Sequence, residues 1–137
     1  MTSPLENLAR QTLHLSAEPW DEQEFQGLIR SGKTRLNDAR RETLSPESRF
    51  DLAYNAAHAL CLAALRQSGY RAKNRYIVFQ VLPHTLGLGP EIWRVLAKCH
   101  EMRNLSEYEG DLNVDERIAT DLINAADRVL KALEQPR

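Results

Sequence analysis

The chain has 137 residues, 42% hydrophobic and 27% charged, which suits a single domain spanning 1–137 with an adequate core and leaves no room for a second. Its formal charge of −1 and pI of about 6.4 exclude an overall field that would draw it to nucleic acid or an anionic membrane, so any such binding needs a local patch. No apolar run approaches the roughly 18 residues of a membrane span, and the first residues lack the basic start and apolar run of a signal peptide. A soluble, cytoplasmic protein with no membrane contact is expected.

Helix start and stop signals recur along the chain while strand-like alternation hardly appears, so the expected fold is all-α, an up-and-down bundle of about five to six helices. Ser3, Pro4 and Glu6 form a capping box with proline at the first helical position. The short helix they open carries Leu5, Leu8, Ala9 and Leu13 on one side and is expected to end near His14. Asp21 and Glu24 open a second helix with Phe25, Leu28, Ile29, Leu36 and Ala39 at helical spacing. Gly27 and Gly32 weaken it slightly, and its last turns collect Arg30, Lys33, Arg35, Arg40 and Arg41.

Ser45 and Pro46 open a third helix that should run to about Ser68 and stop at Gly69. Its stripe of Phe50, Ala53, Tyr54, Ala57, Leu60, Cys61 and Ala64 is rich in alanine, which lets a neighbour approach closely and suggests the central helix of a bundle. Residues 76–86 mix strand-forming side chains with Pro83 and read as a short or kinked helix. Pro90 starts the next helix, with Ile92, Trp93, Leu96 and Cys99 inward and Gly110 as its stop. Asn113 and Glu116 then cap a last helix with the cleanest stripe in the chain, Ile118, Leu122, Ala125, Ala126, Val129 and Leu133. Cys61 and Cys99, without metal-type spacing, read as two reduced thiols, with a disulfide as the alternative.

The most informative segment is residues 100–110 (HEMRNLSEYEG), because it sets Arg103 and Asn104 on a helix whose preceding turns are apolar. On an ideal helix Ala97, His100, Asn104 and Tyr108 share one edge, and Leu96, Arg103 and Glu107 a neighbouring one. A guanidinium at an apolar seam is costly unless a carboxylate pairs with it or a water-filled cleft faces it. One reading is an ion pair with Glu107 or Glu101 that locks two helices; the other is a ligand site.

Residues 50–58 (FDLAYNAAH), the turn at Gly69, Tyr70 and Arg71, and Arg103 and Asn104 with Tyr108 ahead of a final helix together resemble the HEPN superfamily of small helical bundles. The likeness covers residues 46–133, with the helices of 1–44 packed on that core. It implies a homodimer with Arg103, Asn104 and Tyr108 near a cleft between protomers. Many members are metal-independent RNases whose signature is an arginine, a polar follower, and a histidine after four to six positions. Toxins of toxin–antitoxin pairs, often encoded beside a small nucleotidyltransferase that becomes the partner protein, are among them.

Carried onto this chain, the signature arginine is Arg103 and its follower Asn104, but Tyr108 stands where the histidine belongs. A tyrosine with pKa about 10 does not exchange a proton at neutral pH as a histidine does. Arg103 can still stabilise a phosphate, and Tyr108 can hydrogen-bond or stack on a base. Arg94 and His100 satisfy the bare spacing in another register, yet Val95 follows the arginine and the two side chains lie about 120° apart on a continuous helix. His100 could nevertheless reach the Arg103 cleft from one turn earlier.

His14, His58 and His84 have no mutual metal-ligand spacing, and residues 87–90 lack the lysine and hydroxyl of a phosphate loop, so neither metal nor cofactor is expected. Arg66, Arg71, Lys73 and Arg75 cluster without an intervening acid, whereas Glu107, Glu109, Asp111, Asp115 and Glu116 cluster without a base. The first run is either a solvated turn or a basic patch able to touch RNA phosphates. The expected function is binding of RNA, a nucleotide or a partner protein, in a stress, defence or toxin–antitoxin setting, with the RNase motif degenerate. The alternatives are an active metal-independent endoribonuclease using Arg103 with His100 or Tyr108, and a structural or adaptor bundle.

Overall fold

A computed structural model describes residues 4–11, 14–110 and 113–135, with the side chains of 107–109 outside that description. In chain order the elements are α1 (Pro4–Gln11), β1 (Leu15–Ala17), α2 (Glu22–Ala39), α3 (Pro46–Gln67), β2 (Tyr70–Ala72), α4 (Arg75–Gln80), α5 (Leu82–Thr85), α6 (Pro90–Glu109) and α7 (Glu116–Glu134). Four of these helices begin on a side chain that satisfies a first-turn amide. Asp21 accepts from Gln23 and Glu24, Ser45 from Ser48, Asn74 from Ile77 and Asp115 from Ile118. The last of these corrects the expected boundary: Asp115, not Asn113, caps α7. Gly69 and Gly110 adopt positive φ, 90° and 73°, where α3 and α6 end, a conformation glycine reaches without a Cβ penalty.

The all-α expectation holds with one addition. Residues 15–17 and 70–72 form a two-stranded antiparallel sheet, Ser16 opposite Arg71, extended by Glu18 N–H to Gly69 O and Lys73 N–H to His14 O. Three-residue strands carry too short a pattern for alternation to show. The helix α1 is described from Pro4 to Gln11 and His14 lies outside it, next to β1; Ser3 and Leu13, assigned to that helix from the sequence, lie outside the described residues. The kinked helix expected over 76–86 is two helices separated at Val81, with Pro83 in the first turn of α5 where its missing N–H costs nothing.

The helix α3 is central: it packs against α2 and α7 along its length and against α4, α5, α6 and β2 elsewhere. Every stripe residue expected to be internal on it is buried. Cys61 and Cys99 are free and buried, and burial pushes both thiols up, that of Cys99 to about 12. Arg49 is buried as well, donating from Nε to the Ala39 carbonyl at 2.8 Å and so closing the C-terminal end of α2.

Gly32 is a point of close approach between α2 and α3. A Cβ there would lie 2.5 Å from Leu60 Cδ2 and 2.6 Å from Cγ, so the fully buried Leu60 side chain would have to shift. The glycine read from sequence as a helix weakener is thus a contact residue. Gly32→Ala is expected to destabilise the protein by about 1–2 kcal/mol, overpacking outweighing the helix propensity gained. Urea unfolding measures it, and a Gly27→Ala control, with open space around its Cβ, should be neutral or stabilising.

Candidate functional site

Three helices bring chemistry together at one place. On α3, Asp51, Tyr54 and His58 recur at three- and four-residue spacing and share a face. On α6, His100, Arg103 and Asn104 do the same, and α4 supplies Arg75, Tyr76 and Phe79. The buried Tyr54 and Phe79 rings meet edge to face at 5.9 Å and form the floor. The Arg103 guanidinium carbon stands 4.8 Å from the Tyr54 ring centroid and that of Arg75 stands 5.8 Å from the same centroid. One aromatic ring therefore supports two cations, each attracted to its quadrupole and repelled by the other.

His100 is held at both ring nitrogens. Its Nδ1 lies 2.8 Å from the Tyr54 hydroxyl, and its Nε2 lies 3.1 Å from Asn104 Nδ2. In the neutral imidazole, an Asn104 amide donating to Nε2 places the ring proton on Nδ1, facing the tyrosine oxygen; in the imidazolium both nitrogens donate. The imidazole also lies nearly parallel to the Tyr54 ring and contacts Tyr76 and Phe79. His58, one turn beyond Tyr54, meets Phe79 edge-on. Burial, reinforced by the charges of Arg75, His100 and Arg103, pushes its imidazole down to about 4. The sequence shows no metal-ligand spacing for His58 and gives it no chemical role, because its neighbours come from α4 and α6 and leave no local signal.

Arg103 reaches Asp51 with 4.0 Å between Nε and Oδ1 while 27% of its side-chain surface stays exposed. Asp51 lies 52 residues before Arg103 in the sequence, so this acidic neighbour gave no local signal. Glu107 and Tyr108, given roles from the sequence, lie outside the described side chains. At 62% exposure Asp51 adds little stability, but it competes with any anion for Arg103. Asp51→Asn should therefore tighten binding of an anionic ligand about two- to threefold, roughly 0.5 kcal/mol, measurable by fluorescence anisotropy.

The run Arg66, Arg71, Lys73 and Arg75 does not form one exposed patch. Arg66 is 1% exposed; its guanidinium pairs with Glu24 and Glu18 and donates to the Glu18, Pro19 and Tyr70 carbonyls. Arg71 takes the other carboxylate oxygen of Glu24 at 2.6 Å and Glu18 at 2.7 Å. Hydrogen bonding from Arg66 leads the effects that hold the Glu24 carboxyl below its usual range, and the two acids hold Arg71 still more firmly protonated. The acids come from the loop before α2 and its first turn, more than 40 residues away. Lys73 and Arg75 remain exposed, and of the four only Arg75 joins the Tyr54 cluster.

Among the described residues no three histidine, cysteine or carboxylate side chains gather as metal ligands, and no helix is long and apolar enough to cross a membrane. No protein-family model, curated protein or solved structure matches this chain.

Proposed function

We propose that this chain is a HEPN-like bundle that binds single-stranded RNA through its phosphates, with Arg75 and Arg103 as the phosphate contacts and Asn104 and the half-exposed Tyr76 beside them for the bases. The observation that supports this is the pair of guanidiniums gathered over the single buried ring of Tyr54. A guanidinium presents a planar fork of donors matched to phosphate oxygens, and an anion between the two relieves their mutual repulsion. The half-exposed Tyr76 ring offers the kind of stacking surface used where unpaired bases are bound. The near-zero net charge makes this a local footprint, so affinity should fall with salt at the modest slope of about −1.4 that two phosphate contacts give. Anisotropy of a labelled RNA octamer in low salt is expected to show saturable binding that weakens about tenfold in Arg103→Ala. An unaffected variant, or no binding at all, would refute the reading.

A second reading, metal-independent RNA cleavage, is favoured by His100 lying one turn before Arg103 on α6. Both of its ring nitrogens are already engaged, so shuttling a proton requires the loss of a bond to Tyr54 or Asn104. The expected result is therefore that structured RNA incubated with the protein is recovered intact. Cleavage abolished by both Arg103→Ala and His100→Ala, in variants that remain folded, would replace the binder with an enzyme.

A further inference from the structure

We infer that Tyr54 governs which edge of the Asn104 amide faces a bound base: through the imidazole of His100 it turns the amino group outward, so that Asn104 acts as a hydrogen-bond donor and selects guanine over adenine. The inference rests on the RNA-binding reading above and adds to it two positioning residues, Tyr54 and His100, and a base preference. The chain of contacts runs from the Tyr54 hydroxyl to His100 Nδ1 at 2.8 Å and from His100 Nε2 to the Asn104 amide at 3.1 Å. Tyr54 is 1% exposed, and among the described residues His100 Nδ1 is the one hydrogen-bond partner of its hydroxyl. At the other end Asn104 is exposed, and His100 is the one such partner of its amide.

A neutral imidazole carries one ring proton, so a chain of this kind can run in either direction. With the proton on Nδ1, the tyrosine oxygen accepts it and the phenolic O–H, shut away from water, is left without an acceptor, a costly state for a buried donor. With the proton on Nε2, the Tyr54 O–H donates to the bare Nδ1 and Nε2–H donates in turn, which requires the Asn104 amide to present its Oδ1. A half turn of the amide exchanges Oδ1 and Nδ2 at the same 3.1 Å and breaks no other bond. Every polar group of the chain is then satisfied, so the buried hydroxyl decides the direction. Protonation of His100 leaves the amide as it is, because Nε2 donates in the imidazolium as well. The outward amino group, one position beyond Arg103, is a donor only. Guanine offers such a group two adjacent acceptors, O6 and N7, whereas adenine sets its N6 amino donor beside N7 and suits an amide whose oxygen is free.

Nitrogen-15 NMR of the wild-type protein at about pH 8, where an imidazole of ordinary pKa is neutral, shows which ring nitrogen of His100 carries the proton, the signal being assigned by its loss in His100→Gln. Nε2–H is expected. Tyr54→Phe keeps the ring beneath the two guanidiniums but removes the O–H, and should raise the share of Nδ1–H. Anisotropy then compares two labelled uridine octamers that carry guanosine or adenosine at the third and sixth positions. The wild type should bind the guanosine octamer about fivefold more tightly, a difference of the size one hydrogen bond gives. Tyr54→Phe should cut that ratio to about twofold or less, and Asn104→Ala should bring it to about one, after which adding Tyr54→Phe changes it no further. Where Tyr54→Phe does not fold, the wild-type tautomer and the Asn104→Ala ratio decide. An Nδ1–H tautomer in the wild type, a preference for the adenosine octamer, or a ratio that Asn104→Ala leaves unmoved would overturn this inference and leave the phosphate reading standing. Failure of both octamers to bind would overturn the RNA reading and the base preference together.

Discussion

Arg66→Met is expected to cost about 3–5 kcal/mol of folding stability, more than any surface substitution in this chain, and to lower the melting temperature by about 10 °C or more. The guanidinium is sealed under the β1–β2 pair, where it satisfies three carbonyls and meets two carboxylates. Methionine fills similar volume but donates nothing. It would leave three acceptors unpaired at the junction that ties the end of α3 to the loop before α2, each with a desolvation penalty of about 1–3 kcal/mol if water cannot replace the lost bond. Glu24→Gln should cost much less, because Arg66 keeps its carbonyl partners and Glu18. The cluster also gives the protein an acid limit. The folded-state pKa of Glu24 is depressed, so its contribution is fully present above the ordinary carboxylate value and is lost as pH falls through the lower folded value. Urea midpoints from pH 7 down to pH 3 should show this loss in the wild type and a flatter profile in Arg66→Met. A cost below about 1 kcal/mol for Arg66→Met would mean that the junction is not held by this side chain.

Removing both arginines of the Tyr54 cluster has the larger expected effect on binding. The double substitution Arg75→Ala with Arg103→Ala should lower RNA affinity about 100-fold, on the basis of roughly 1.4 kcal/mol for each charge-assisted phosphate contact. Stability should change by no more than about 1 kcal/mol, because each guanidinium is at least partly exposed and contributes to the fold chiefly through its contact with the tyrosine ring. The separation of the two readouts is informative. A bundle in which Arg103 served only to lock helices would lose stability and retain whatever binding it had.

Much of the architecture was written in local signals. The caps at Asp21 and Ser45, the glycine stops at positions 69 and 110, and the alanine-rich stripe of α3 are short-range features whose physics is complete within one or two turns, and each lies where the sequence places it. What escaped was long-range. The Arg66–Glu24 and Arg71–Glu18 pairs join residues 42 and 53 apart, so two members of a basic run that looks unpaired in sequence are neutralised in the fold. Gly32 looked like a propensity cost because nothing near it in sequence announces Leu60. The candidate site was legible in part: His100, Arg103 and Asn104 stand out beside the apolar Ile92, Leu96 and Cys99 seam of α6. Asp51, Tyr54, His58 and Arg75 complete the cluster only once α3, α4 and α6 are packed, and helical spacing within one element cannot report which face of another it meets.

The central claim is that two guanidiniums on one aromatic floor are a phosphate-binding device, and the salt dependence of RNA affinity tests it most directly. Each phosphate neutralised on a single strand contributes a slope of about −0.7 to log K against log salt. The wild-type line should therefore be steeper than that of the Arg75→Ala, Arg103→Ala variant by about 1.4. Parallel lines for the two proteins would show that RNA is held elsewhere and would contradict the account.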